Sequence, residues 1–326
     1  MSEKIYPIAV IGGGAAGTMA MLRAVLNNDE CLFFPGSPKN KKKSRDFWVT
    51  KIENMPGYFN YKKGIVDPNK ETVAWVNESP YSDKLHLIKN QGVDAIKKED
   101  NIFHLTSTKG ETFRAKHVVL CTGVMDVQPE INGSIDPILP FANIQLADYC
   151  LRCDGHHVLG KKLSVIGHDS GAAWVGIMMK ERYNCPEVIL LSNGKEFDHS
   201  DEVKELIQKY DFQLNSQPIT EVLGNAKNKQ LDGYKLSDGT QVDTEFTFIS
   251  LGMIIYNELA KSLGADLDTR GFVLTDKFGE SSVENLFVAG DLRANAKKQV
   301  YTAWDHAVDS VDKINGRIRL EKRNSI

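Results

Sequence analysis

The sequence predicts an α/β chain made of two strand–turn–helix units, the second inserted into the first. Three stretches point to it. An apolar run of strand length, Ile5 to Ile11, leads into Gly12-Gly13-Gly14-Ala15-Ala16-Gly17 and a helical pattern through Leu26. Leu163 to Ile166 leads in the same way into Gly167-His168-Asp169-Ser170-Gly171-Ala172 and a helix to about Lys180. Asn285 to Asp291 is a late strand ending in Gly-Asp, and a final helix follows from about Lys297 to Asn315. At 326 residues the chain exceeds one ordinary core, which favours two domains.

The first turn is G-x-G-x-x-G in its strand-to-helix setting. Gly12 permits the tight turn, Gly14 lets a pyrophosphate approach the backbone, and Gly17 lets helix and strand pack closely. The helix start offers unpaired N–H groups and a positive dipole end to phosphate; a ligand-free glycine turn is the alternative. Glu30 to Phe34 is the second strand, and it ends at Pro35-Gly36 without an acid to hold a ribose. Pro38 to Arg45 is a basic loop, read as solvated or as a contact for a nucleotide phosphate or an acidic protein. Glu53-Asn54-Met55-Pro56-Gly57 reads as a turn. Asp67 to Asn90 is helical in pieces with a break at Ser79-Pro80, and short strands run from Val93 to Cys121. The last of these, from His117, opens onto Thr122-Gly123. In the inserted unit, Val188 to Leu191 is a strand, Thr220 to Asp243 is turn-rich with short strands, and Phe246 to Leu251 is a buried strand.

Between the two glycine turns lies Cys150-Leu151-Arg152-Cys153-Asp154-Gly155. Two thiols separated by two residues can close a small disulfide or supply half of a zinc site. Asp154 is placed to exchange protons with the second thiol. A hydrophobic content of 41%, a charged content of 25% and a net charge of −3 describe an ordinary globular chain and imply no nucleic-acid or membrane partner. Residues 1 to 4 show no signal-peptide pattern and no apolar run is long enough to span a bilayer. The expectation is a cytoplasmic protein, where a disulfide is more often transient and catalytic than structural. Cys31, Cys121 and Cys185 sit singly in apolar surroundings and read as inert small hydrophobes.

Taken in order, G-x-G-x-x-G, Glu-Asn-x-Pro-Gly, Thr-Gly after a strand, Cys-x-x-Cys-Asp-Gly, a second glycine turn and Ala-Gly-Asp resemble the low-molecular-weight thioredoxin reductases over nearly the whole chain. The resemblance implies two Rossmann-like domains in the flavoprotein disulfide reductase fold. An FAD domain would be formed by residues 1–121 and 247–326, and a central domain with the redox cysteines by 122–246. By that resemblance Gly12, Gly14, Ala16 and Gly17 form the FAD pyrophosphate turn, and Asn54 and Pro56 line the flavin. Thr122 and Gly123 form the crossover between domains. Gly290 and Asp291 meet the ribityl chain, and Gln299 and Val300 present backbone N–H groups to the flavin's pyrimidine edge. It also resolves the cysteine pair as a redox disulfide without metal, since no second ligand pair stands at finger spacing. Cys153 would face the flavin and Cys150 the substrate. Asp154 would act as general acid–base, a role compatible with capping a helix.

The chain departs from these reductases at the nicotinamide site. Gly167, Asp169 and Ser170 would face the second nucleotide, yet His168 and Asp169 replace small glycines there. Asn193, Gly194 and Asp198 stand at the positions of three arginines that grip a 2′-phosphate. Each charge-assisted bond to a phosphate contributes about 1.5–3 kcal/mol, so losing two or three weakens binding by at least about two orders of magnitude. Tyr301, Trp304 and His306 add bulk to the last helix, either as core or as a block to nicotinamide. These departures resemble the pyridine-nucleotide-independent branch of the family, most closely the diflavin-linked disulfide oxidoreductases, in which a second FAD fills the vacated site. The expectation is an FAD-dependent disulfide oxidoreductase that does not use NADPH. Alternatives are an NADPH-dependent thioredoxin reductase with a degenerate site, a dithiol oxidase using oxygen, and a non-catalytic flavin-binding sensor. Expected partners are a disulfide or dithiol substrate such as a thioredoxin-like protein, ferredoxin at the basic loop, and a second copy in a homodimer.

Overall fold

The computed structural model describes residues 4–41, 44–48 and 51–325. Met1 to Glu3, and Lys42 and Lys43 of the basic loop, lie outside the described residues. The chain is α/β and divides into two compact units. One comprises Met1–Phe47, Tyr61–Met125 and Ile255–Ile326, and the other Trp48–Asn60 and Asp126–Ile254.

Among the described residues, the first unit is built on a seven-stranded sheet. Its parallel centre is Ile5–Ile11, flanked by Cys31–Phe34 and Thr112–Leu120, with Leu286–Val288 beyond. The register is level: Ile11 stands opposite both Phe34 and Leu120, and Leu120 opposite Val288. Four turns therefore leave the sheet at one end. Strands buried on both faces read as continuous apolar runs, and Val10, Phe33, Val119 and Phe287 are such residues. Each contributes about 1.5–3 kcal/mol by burial.

One face of this sheet is covered by helices Ala15–Leu26 and Val300–Asn324. Arg23 pairs with Asp312 at 2.6 Å, and Asp29 receives Asn315 and Arg319, each at 2.6 Å. The last helix begins three residues later and ends nine residues later than its pattern suggested. Gln299 is still extended at the N-cap. Beyond Asn315, Ile318 is buried, and Arg317 binds Glu280 through two contacts of 2.6 Å. Tertiary anchors carry the helix past Gly316.

The second unit has a five-stranded parallel sheet in the order Gln213–Asn215, Val188–Leu191, Leu163–Ile166, Phe246–Ile249, Ala147–Asp148. Helix Ser170–Tyr183 packs on it and ends at Asn184, which adopts the left-handed conformation that closes many helices. Helix Asp201–Lys209, absent from the sequence expectation, buries Val203 and Ile207. The Thr220–Asp243 region is a three-stranded antiparallel sheet, Ile219–Asn225, Gln230–Leu236 and Gln241–Asp243. Its Tyr234 hydroxyl reaches the buried Thr247 hydroxyl at 2.6 Å.

Two glycines make opposite predictions about stability. A Cβ on Gly17 would stand 1.7 Å from the Gly12 carbonyl oxygen, whereas one on the exposed helical Gly316 meets nothing within 4 Å. Gly17→Ala is expected to lower stability by about 3 kcal/mol or more. Gly316→Ala should raise it by about 0.5–1 kcal/mol. Urea unfolding midpoints check both, and equal shifts would contradict the close packing at Gly17.

Candidate active site

In the first unit the functional turns gather at the carboxyl ends of the central strands, where open α/β sheets bind ligands. Gly12 has φ +113°, and a Cβ there would stand 2.2 Å from the Cys121 carbonyl oxygen. Gly14 is the N-cap of the first helix, with no side-chain capping bond, and a Cβ on it would meet nothing within 4 Å. The Gly13 carbonyl accepts from Thr18 Oγ1 and Asn69 Nδ2, both at 3.3 Å. The loop is thus held from behind while its front stays open. Gly290, at φ +80°, lets its strand end approach Ala16, whose Cβ a side chain would meet at 2.9 Å.

Thr122 Oγ1 donates to the Tyr256 carbonyl at 2.6 Å, and Gly123 takes φ +69°. Asp291 pairs with Arg45 at 3.2 Å. Gln299 is buried at the N-cap of the last helix, and Val300 is that helix's first residue. Tyr301 is exposed rather than core. His306 is half-buried, and burial pushes its imidazole down to about 4. The glycine cradle and open helix start fit a dinucleotide pyrophosphate. Asn54 and Pro56 stand in the Trp48–Asn60 segment, which groups with the second unit.

The cysteine pair lies in that second unit. Cys150 and Cys153 form a disulfide with Cα atoms 5.3 Å apart. Strand Ala147–Asp148 delivers Cys150 to the N-cap of the one-turn helix Leu151–Asp154. The Cys153 N–H donates to Cys150 Sγ at 3.2 Å, and the Cys153 and Asp154 N–H groups both donate to the Cys150 carbonyl at 2.9 Å. A sulfur that accepts backbone N–H bonds is favoured as thiolate once reduced. Asp154 is buried.

Around this turn stand four ionisable residues that sequence reasoning did not assign. Buried Asp148 approaches His157 Nδ1 at 3.3 Å, and His157 Nε2 lies 2.7 Å from Glu53. His156 Nε2 lies 3.1 Å from the same Glu53 oxygen. The bond to Asp148, followed by that to Glu53, lifts His157 to about 9 against the cost of burial. The bond from His157 holds Glu53 below the usual carboxylate range, whereas desolvation raises Asp148. The two histidines directly follow the Cys-x-x-Cys-Asp-Gly motif in the sequence. Nothing local marked Asp148 or paired Glu53 with residues 103 and 104 positions away.

The second glycine turn is built differently from the first. Asp169 caps helix Ser170–Tyr183, its Oδ1 accepting from the Ala172 N–H at 2.9 Å. Asp198 lies beside it through a backbone bridge, and Ser170 Oγ accepts from the Ser200 N–H at 2.9 Å. A Cβ on Gly167 would strike Ala172 Cβ at 2.5 Å and the Ser250 carbonyl at 2.6 Å, so this glycine serves packing. Asn193 donates to the Glu130 carbonyl at 2.9 Å.

The pyridine nucleotide-disulphide oxidoreductase family model matches residues 6–310. Thioredoxin reductase of Mycoplasmopsis pulmonis is 26% identical over 327 aligned positions, covering 97% of this chain and 99% of that protein. Thioredoxin reductase of Treponema pallidum is 25% identical, covering 92% and 93%. Among solved structures, HlmI superposes with a TM-score of 0.83 at 19% identity, covering 100% of this chain and 96% of that one. Thioredoxin reductase TrxB of Bacillus anthracis superposes at 0.79 with 18% identity, covering 97% and 99%. Both superpositions speak to the fold.

The three cysteines outside the disulfide are buried. Burial raises the Cys31 and Cys121 thiols far above their ordinary value, and raises Cys185 to about 11. Iodoacetamide followed by mass spectrometry should modify no cysteine of the oxidised native chain and only Cys150 and Cys153 after mild reduction. The other three should react only after unfolding. Early labelling of Cys121 would contradict the buried assignment.

Proposed function

Because the chain belongs to the pyridine nucleotide-disulphide oxidoreductase family, we propose that it is an FAD-dependent disulfide oxidoreductase of thioredoxin-reductase type, working through Cys150 and Cys153 without NADPH. The observation that carries the coenzyme part is the contrast between the two helix starts. Gly14 leaves the first open to a pyrophosphate, while the Asp169 carboxylate already caps the second. NADPH at the second turn must displace that carboxylate and also bring its 2′-phosphate past Asp198, whereas a second FAD must displace the carboxylate but carries no 2′-phosphate. Asn193 is engaged with the Glu130 carbonyl and supplies no positive charge for a 2′-phosphate.

FAD, when bound at Gly12, Gly14, Ala16 and Gly17, supplies a two-electron carrier. The chain's own residues do the remainder. Cys150 attacks or releases the substrate sulfur, Cys153 closes the internal disulfide, and Asp154 holds the proton that a departing thiolate needs. Reduction of the disulfide takes up two electrons and two protons; dithiol oxidation returns them. Thr122, Gly123, Gly290, Asp291, Gln299 and Val300 would contact the flavin, with Asn54 and Pro56 beside it. The similarity to thioredoxin reductases supports a thioredoxin-like protein disulfide as substrate. The proposal extends to a second FAD near Gly167, Asp169 and Ser170, to ferredoxin at the basic segment, and to a cytoplasmic homodimer.

Anaerobic titration with NADPH should leave the flavin absorbance unchanged at micromolar coenzyme. Rapid stoichiometric bleaching would instead establish an NADPH-dependent reductase. Denaturation and flavin counting should give about two FAD per chain, and a ratio of one removes the second flavin. Peroxide released on adding a dithiol marks the oxygen-using alternative. Cys150→Ser should abolish disulfide exchange while FAD stays bound; retained exchange would remove the assigned role of Cys150.

A further inference from the structure

Glu53 lies on the Trp48–Asn60 segment, and His156 and His157 lie on the one-turn helix Gly155–Val158 that follows the disulfide. Consecutive side chains on a 3-10 turn project about 120° apart, so neighbouring imidazoles do not ordinarily meet on one atom. Here they do. Both Nε2 atoms reach the same Glu53 oxygen, at 3.1 and 2.7 Å, with the rings tilted and their centroids 4.3 Å apart. One donor atom from each of the three residues lies within 4.8 Å of the other two.

Behind them, Asp148 approaches Nδ1 of His157 at 3.3 Å from a buried position. A carboxylate on the far ring nitrogen is the outer support that metal-binding histidines characteristically carry. It fixes the Nδ1–H tautomer and turns the Nε2 lone pair outward. In the metal-free chain a proton on each Nε2 can bridge to the Glu53 oxygen, and one cation shared by all three donors can take the place of those protons. The His156 side chain is 49% exposed, so a cation has an entry path and a fourth position open to water.

We propose that Glu53, His156 and His157 form a binding site for a divalent first-row cation, with Zn²⁺ the ion best matched to two imidazoles and a carboxylate, and Asp148 as the carboxylate that aligns His157. The site is separate from the cysteine sulfurs and does not depend on which coenzyme reduces them.

The test is Zn²⁺ titration of the purified full chain, disulfide oxidised and no thiol reductant present, against a chromophoric chelator. A single Zn²⁺ per chain at micromolar or tighter affinity is expected. His156→Ala, His157→Ala and Glu53→Gln should each weaken it at least about tenfold, and Asp148→Asn by about 10–100-fold. The Cys150→Ser/Cys153→Ser double variant should bind as the parent does. X-ray absorption on the unmodified chain should show nitrogen and oxygen neighbours at about 2.0–2.2 Å and no sulfur near 2.3 Å, which keeps the test independent of variant folding. No binding at 100 micromolar Zn²⁺ (about 5.5 kcal/mol of affinity) overturns the proposal. So does a sulfur shell, or undiminished binding by a folded His156→Ala/His157→Ala variant.

Discussion

The first N–H groups of a helix have no partner inside it and must be satisfied from outside. The two units share the strand–turn–helix plan and meet this requirement in opposite ways. At Gly14 the chain provides no side-chain oxygen, and the surrounding geometry protects the opening. Gly12 and Gly17 admit close backbone contact with the Cys121 and Gly12 carbonyls, and level strand ends bring Gly290 against Ala16. At Asp169 the requirement is met internally by a carboxylate. One helix start awaits an anion and the other already holds one. The Asp169 oxygen is thus one clear source of asymmetry between two related units.

The cysteine turn follows a related logic at smaller scale. Its helix is too short for a substantial dipole, so local donors matter more: the Cys153 N–H on sulfur and two N–H groups on the Cys150 carbonyl. Charge then accumulates behind it. Buried carboxylates are costly unless paired, and Asp148 finds His157, which in turn finds Glu53. This chain of contacts ties the Trp48–Asn60 segment to the cysteine region through side chains rather than a continuous strand.

What could be read in advance follows the reach of each physical constraint. The glycine turns were legible because positive φ and close backbone approach are local demands that only certain residues meet. The Cys-x-x-Cys pair was legible because a short loop fixes its own geometry. The last helix was misjudged at both ends. Lys297 and Lys298 fit a helical pattern, but Gln299 is extended, and Gly316 did not stop a helix anchored through Arg317 and Arg319. The Glu53–His157 contact joins residues 104 positions apart, and no periodicity reports such a distance. The role of Asp148 was equally hidden, because an acid in a two-residue strand looks like any surface acid until its burial is known.

The burial of Cys121 also bears on how the protein ages. Its carbonyl forms the floor beneath Gly12, and its Cβ would lie 3.3 Å from one placed on Gly17. A sulfinic or sulfonic group added there would pry open the first glycine turn, and such oxidation is not readily reversed. The raised thiol pKa keeps Cys121 from forming the thiolate that peroxide attacks. Cys150 and Cys153 are half-buried and already joined as a disulfide. With the redox cycle proposed for Cys150 and Cys153, oxidative wear would fall on the two sulfurs that can recover from it.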